Sequence, residues 1–557
     1  MGQVYAGAAR TRVWLGESTE TDYQALQSLA ALSQVLNDIS TSMVGVDATV
    51  QMIQRKFFTT MNIDRLEWEL LSEMLNRAWF KRTWIIQEVA NSKSIQVHLG
   101  QIEFPWNLLS NTVLYSTTYK LHSALTECKA FKTISTMENL RRERIDDSQA
   151  YTAMPLLDML EELRDFKATI PSDKIYGVLG LTNRKNEFVV DYAQAPEKVF
   201  TDFAVRELKS GCLDLLAHCV DSSKPKTLEL PSWVPDWTCP GWTEPLRTRG
   251  LETAAGRGVE PDLAIDENAG ILRIKGRMLD RIASVESKRQ IPPPNQQGLR
   301  GSQDDEKDDR SKFDPEKIEM SVYGGRILDA EPDPPYEDDD TAGTANQPAG
   351  RKRPKDARYR YEKFIEMAIE NMKNWHLGVI DVAFPDKKTT AQGWENFWRT
   401  LMCNRTRDNE RPGENSAAGM DIYFKITVGL NGSSGSGLDA VLQTRIRDQI
   451  DNHGMSLRDS DAYYLKEKEA FETFSGAHNK WTYNRRFYRS EGGRFGWVVD
   501  GTQPGDAVVL FHGCDSTFVV RQTADGTWRI IGDCYIHGLM DGEGLRPEFE
   551  EMYFQIV

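Results

Sequence analysis

Glu88 is the side chain whose neighbours most invite a chemical reading. It is the lone acid in Arg77-Ala-Trp-Phe-Lys-Arg-Thr-Trp-Ile-Ile-Gln-Glu-Val-Ala90, a segment that also gathers two tryptophans and a basic cluster. Lys81, Trp84 and Glu88 stand at i, i+3 and i+7, which places all three on one face if the segment is helical. A carboxylate one turn above an indole and two turns above an ammonium is either an active-site acid or a held structural group. In the second case it pairs with Lys81 or Arg82, or caps neighbouring backbone. Trp79, Phe80 and Trp84 read as core, because large aromatics at helical spacing usually pack against a sheet. Arg77 and Arg82 have the fork that binds phosphate, although surface ion pairing is its commoner use. Ser172-Asp173-Lys174 is open between an active-site corner and a cap at the start of a helix.

Two further constellations are weaker. Gly435-Ser-Gly-Leu-Asp-Ala440 follows Ile426-Thr-Val428 and fits a loose dinucleotide-loop pattern, but the preceding Asn431-Gly-Ser-Ser434 has the composition of a linker and no βαβ unit follows. His512-x-Cys514 and Cys534-x-x-His537 offer four ligands of zinc type at a spacing that matches no zinc module, and small buried cysteines are common in β modules. We therefore assign no metal and no bound cofactor. No G-x-S-x-G elbow is formed by these glycines, so serine-hydrolase chemistry has no support.

The elements that must hold these residues show in the periodicity. Residues 22–40 carry Leu26, Leu29 and Leu32 on one side, and residues 63–90 carry Ile63, Leu66, Leu70, Met74 and Leu75, so each stretch predicts a helix. Ile95 to Leu99 alternates and ends at Gly100, which predicts a strand. Leu156, Leu160 and Leu163 stripe another helix that stops before Ile170-Pro171, and residues 199–209 read as one more. Ile271 to Lys275 alternates and predicts a short strand with a turn after Gly276. Short strands interleaved with helices predict α/β layering.

Residues 288–358 change character, with Pro292-Pro-Pro294 and acidic runs such as Glu337-Asp-Asp-Asp340, and are too polar to bury. Beside them, Arg351-Lys-Arg-Pro-Lys355 reads as a solvated basic stretch or an import signal. Helical patterning returns from residue 361 to about 402 and again over 438–475. From 481 onward, Gly505-Asp506, Asp525-Gly526 and Asp541-Gly542 separate apolar runs, which predicts a compact β module.

Composition narrows the classes. A chain of 557 residues should hold more than one compact unit, and 40% hydrophobic content with 14 tryptophans is enough to build cores. The net charge of −15 gives no bulk attraction for phosphate, against a general nucleic-acid binder. The seven cysteines are odd in number and lack C-x-x-C spacing, as expected of a reducing compartment. No signal peptide, no membrane span and no complete myristoylation motif is present. The expectation is a cytoplasmic protein without nucleic-acid or membrane partners.

Four stretches resemble, in order, a known family. Arg77-x-Trp79-Phe80-x-Arg82-x-Trp84-x-x-Gln87-Glu88 followed by Val97-x-Leu99-Gly100 is similar to the signature of the fungal heterokaryon-incompatibility (HET) domain. Met1-x-x-Val4-Tyr5-x-x-Ala8 with Val13-Trp-Leu-Gly16 resembles the family's strand before that helix. Asp173-Lys-Ile-Tyr-Gly-Val-Leu-Gly-Leu181 and Pro231-Ser-Trp-Val-Pro-Asp-Trp237 resemble two of its downstream motifs. Gly532 to Glu543 resembles a closing motif of such proteins. The family's opening strands have no counterpart, so the resemblance implies a HET domain cut short at its front.

The resemblance implies a role in non-self recognition and programmed cell death, with other incompatibility-signalling proteins or a second copy as partners. HET domains also resemble Toll/interleukin-receptor (TIR) domains, some of which cleave NAD with a glutamate spaced as Trp84-x-x-x-Glu88 is. That likeness implies an alternative in which NAD is a substrate, Glu88 is catalytic, and Lys81, Arg82 and Trp84 bind substrate. Cleaving the nicotinamide bond develops oxocarbenium character that a carboxylate stabilises. The expected organisation is a partial TIR-like α/β HET unit (1–182), an α+β extension (183–287), a disordered acidic insertion (288–358), a mostly helical region (359–480) and a C-terminal β module (481–557).

Overall fold

The computed structural model describes residues 2–42, 70–71, 73–118, 129–145, 155–182, 184, 187–221, 228–239, 243–286, 374–427 and 438–557. The acidic insertion, the basic stretch at 351–355, the glycine loop at 431–437, and Ile63 and Leu66 lie outside those residues. The chain divides into two compact units. The first comprises 1–286, 390–410 and 478–557, and the second 287–389 and 411–477.

The first unit opens with a three-stranded sheet of β1 (Thr11–Trp14), β2 (Ile95–Leu99) and β3 (Ile102–Pro105) in that order. β1 and β2 are parallel, with Val13 beside Val97, and β2 and β3 form an antiparallel hairpin. A parallel pair needs a crossover, and the helices Glu20–Ser42 and Ile85–Ala90 lie within it. Thr19 starts the first of these, since its hydroxyl donates to Asp22 at 2.8 Å and its N–H donates to the same carboxylate at 2.7 Å. Leu29 and Leu32 then join Val97, Ile86, Val89 and Leu109 in the core, with Leu26 partly buried against it, as the leucine spacing predicts.

The single helix expected to run to residue 90 is broken. Residues 73–75 are helical, Ala78–Lys81 is a 3-10 turn, Arg82 is extended at φ −92°, ψ 135°, and a new helix runs from Ile85 to Ala90. The reason is tertiary. Lys167 donates its N–H to the Lys81 carbonyl and accepts from the Thr83 N–H at 3.0 Å, forming a parallel bridge at Arg82. Those backbone groups are then lost to the helical ladder.

An eight-stranded sheet forms the other part of this unit. β5 (Ile271–Val285) is its spine, and it pairs with β4 (Leu263–Asp266), β6 (Arg486–Ser490), β8 (Ala507–Phe511) and β11 (Glu550–Ile556). β9 (Thr517–Gln522) joins β8 to β10 (Trp528–Ile536), and Trp528 beside Ile556 closes the ring back to β11. Closure removes the free edges that an open sheet would present. β7 (Phe495–Val498) links β6 to the far end of β10.

Two expectations are corrected here. No turn follows Gly276. The strand runs on to Val285, fifteen residues in all, and the glycine is there because a Cβ would lie 2.6 Å from the Leu510 carbonyl on β8. The β module also does not consist of residues after 481 alone, because its longest strand comes from 271–285.

Phe511, Phe518, Phe554 and Trp528 pack within the ring at centroid distances of 5.2 to 5.6 Å. The helix Ala391–Leu401, capped by Thr390, packs on β7, and Trp497 donates to the Thr400 carbonyl at 2.7 Å. The second unit, where described, is helical: residues 374–383, Asn415–Thr427, Leu438–His453 and most of Ser460–Thr482. Tyr423 packs on Phe474 at 5.5 Å within it. Helices and strands are thus mixed as α/β layering predicts, with an antiparallel sheet toward the C-terminus.

Candidate functional site

Glu88 lies on the helix Ile85–Ala90 and is half-buried. The helix Gly2–Gly7 packs against this one and brings the Tyr5 hydroxyl to the Glu88 carboxylate as a hydrogen-bond donor. Burial pushes the Glu88 carboxyl above its usual range, against the opposing pull of the Arg82 guanidinium and the Tyr5 bond. Burial and the Glu88 charge likewise raise the Tyr5 phenol. Among the described residues, Tyr5 and Arg82 are the groups that act on this carboxylate.

The break at Arg82 sends the expected companions elsewhere. Lys81, Trp84 and Glu88 do not share one helix face, because Lys81 ends the 3-10 turn and Trp84 only begins the next helix. Arg82 is exposed and Lys81 half-buried. Trp84 donates its indole N–H to Asp173 at 3.0 Å, and the Tyr192 hydroxyl donates to the other oxygen of Asp173 at 2.9 Å. Burial, then the Asp173 carboxylate, push the Tyr192 phenol up to about 12. Ser172 stands at the N-cap of the helix Asp173–Leu179 without making a side-chain cap bond. Asp173 thus binds side chains from other elements instead of capping its own helix.

The neighbouring motif residues are also committed. Arg77 donates to the carbonyls of Leu15 and Glu17 and pairs with Asp22 at 2.6 Å, which is ion pairing and backbone binding, not phosphate binding. Trp79 and Phe80 are core. Gln87 donates to the Gly177 carbonyl at 2.7 Å, and a Cβ on Gly180 would meet its amide at 2.9 Å, so a larger residue there would push the Gln87 amide from this position.

Lys174 is buried and donates to the carbonyls of Arg164, at 2.7 Å, and Phe166. Close by, Glu161 accepts from Arg164 at 2.8 Å and lies 2.8 Å from Nδ1 of His218. Despite burial, Arg164 and His218 hold the Glu161 carboxyl at about 2.

Burial pulls the Lys174 ammonium down to about 8, from 10.5 in the unfolded chain. Between those values the unfolded state binds the proton more readily than the folded one. Stability from this residue therefore rises as pH climbs from about 8 to about 10.5, by on the order of 3 kcal/mol in total. Replacing Lys174 by methionine should abolish that rise. Urea denaturation of both proteins at pH 7.5 and pH 10 measures it, and a stability difference that stays constant across this window would refute the assignment.

In the barrel, the four residues of zinc-ligand type go to separate neighbours. His512 Nε2 is 3.3 Å from Glu551, the Cys534 sulfur is 3.3 Å from the Thr517 hydroxyl, and His537 is 3.1 Å from the Tyr535 hydroxyl, while Cys514 is buried. Among the described residues, no group of three or more His, Cys, Asp or Glu side chains stands together.

Sequence reasoning missed Tyr5 as the partner of Glu88, although Tyr5 lay in a quoted motif. It also missed the Glu161–Arg164–His218 cluster and the Arg485–Asp533 pair of the barrel, because no local spacing relates them.

A three-stranded unit carrying the Trp84–Glu88 helix, followed by a closed barrel, defines the class. Residues 1–88 match the family model of the heterokaryon incompatibility protein (HET), and residues 458–556 match that of the Het-6 beta-barrel domain. These matches support a HET-domain protein. The chain is 22% identical over 595 residues to heterokaryon incompatibility protein 6, OR allele, of Neurospora crassa, covering 98% of this chain and 78% of that protein. No solved structure matches. Among the described residues, no helix is long and apolar enough to cross a membrane.

Proposed function

We propose that this protein acts in fungal non-self recognition and cell-death signalling as an interaction module, engaging other incompatibility proteins or a second copy of itself. The likeness to a protein named for heterokaryon incompatibility supports the process. One observation carries the interaction reading: of the candidate substrate-binding side chains, Trp84 is committed inside the fold, as are its motif neighbours Gln87 and Lys174, while Arg82 stays exposed. Trp84 is bound to Asp173, Gln87 to Gly177, and Lys174 to two backbone carbonyls.

A second reading has its own support. Glu88 remains half-buried with a raised carboxyl beside Tyr5 and Arg82, and perturbed carboxyls cluster at functional sites. In a TIR-like NAD hydrolase, this carboxylate would stabilise the oxocarbenium formed as nicotinamide leaves.

Expression of the full chain and of Glu88→Gln in a filamentous fungus separates the two readings, with hyphal viability and cellular NAD measured together. The interaction reading expects both proteins to kill equally, with no early fall in NAD. The hydrolase reading expects nicotinamide release by the purified protein and a loss of roughly 100- to 1000-fold in rate in Glu88→Gln. NAD depletion that disappears with the substitution would overturn the first reading.

A further inference from the structure

We propose that the turn 163–167 is a rigid tie through which the barrel positions the Arg82–Glu88 corner, with Arg164 and Lys174 as its positioning residues. The tie can be followed bond by bond from the barrel inward. Ser232 donates its N–H to the Val557 carbonyl at 2.9 Å, and its hydroxyl accepts from the Ile530 N–H at 3.0 Å. Trp233 donates to the Gly270 carbonyl at 2.9 Å, and the Asp221 N–H to the Ile531 carbonyl at 2.7 Å. Pro231 to Trp237 is thereby fastened to β10, to the residue after β11 and to the turn before β5, and Asp221, close to His218 along the chain, is fastened to β10 separately.

Arg164 takes up the connection. Its guanidinium donates to the carbonyls of His218, Asp236 and Cys239, each at 3.1 Å, and lies 5.0 Å from the Trp237 ring centroid. Glu161 neutralises it in a buried ion pair. Charge-assisted bonds of this kind are stronger than neutral ones, and here four of them converge on one side chain. On the other side of the turn, Lys174 holds the carbonyls of Arg164 and Phe166. The next residue, Lys167, bridges Lys81 and Thr83, and the Thr83 hydroxyl also donates to its carbonyl at 3.2 Å. Arg82 sits between those two bridged residues, extended, with its charge acting on Glu88. Each step from barrel strand to corner is a hydrogen bond or a short run of backbone.

This tie holds for either reading of Glu88, because it concerns where the corner sits and not what it does. Hydrogen exchange of the intact chain tests it, comparing peptides over 81–90 with peptides over β2 and over β8–β9. Arg164→Met and Lys174→Met should each speed exchange over 81–90 by about tenfold or more, while β8–β9 keep their protection. Ser232→Ala, far from the corner, should act in the same direction with a smaller effect. Arg164→Lys should not restore protection, since one ammonium cannot serve three carbonyls and a carboxylate at once. Unchanged exchange over 81–90 in a folded Arg164→Met protein overturns the tie. So does a uniform rise that includes β2, which would mean general loosening. If Arg164→Met fails to fold, the same two outcomes are read from Lys174→Met and Ser232→Ala.

Discussion

Asp533→Ala is expected to destabilise the barrel by about 3–5 kcal/mol, the usual cost of stripping one partner from a buried ion pair. Asp533 and Arg485 are both fully buried, and the guanidinium donates to the two carboxylate oxygens at 2.7 and 2.9 Å. Arg485 also donates to the carbonyls of Asp533 and Glu244, and the Leu246 N–H donates to the carboxylate at 2.8 Å. Alanine would leave a buried cation and a buried N–H without their acceptor. Total stabilities of about 5–15 kcal/mol leave little margin for such a loss. Replacing the pair together, Asp533→Leu with Arg485→Met, should cost much less, because no unpaired charge remains. Chemical denaturation followed by tryptophan fluorescence measures both. A single mutant within about 1 kcal/mol of the parent would contradict the account.

Trp233→Ala should be comparably damaging, at about 3–5 kcal/mol. Trp233 is fully buried and donates to the Gly270 carbonyl at the turn into β5. Truncation opens a cavity the size of an indole and unties the Pro231–Trp237 stretch from the barrel. Trp233→Phe keeps most of the apolar volume and should lose only about 1–2 kcal/mol, chiefly the hydrogen bond. Denaturation midpoints of the two variants should therefore be clearly separated. If they coincide, the side chain acts through its hydrogen bond or not at all, and the cavity argument fails.

Periodicity found the elements whose partners are local. The leucines of Glu20–Ser42, the alternation of Ile95–Leu99 and the stripe of Leu156–Glu162 each declare which face is buried, because side chains three to four residues apart on a helix, or two apart on a strand, share a surface. The turn glycines behaved similarly, since Gly505, Gly526 and Gly542 all take the positive φ that only glycine adopts cheaply. The same reasoning failed over residues 76–84. The predicted helix runs on to residue 90, yet Lys167, more than eighty residues on, captures the backbone of Lys81 and Thr83.

What the sequence determined by itself was a family resemblance, through motifs such as Trp84-x-x-Gln-Glu88 and Pro231-Ser-Trp-Val-Pro-Asp-Trp237, and the type of most of its helices and strands. Those properties depend on residue identities at short separations. Only the tertiary structure decided what the motif residues touch. It placed Tyr5 at Glu88, turned Trp84 toward Asp173, buried Lys174 against two carbonyls, and carried β5 past Gly276 into a barrel completed some 270 residues later. Each of these pairings joins groups whose spacing along the chain has no fixed period. They are selected by burial and by the need to satisfy buried polar atoms, which no local pattern records.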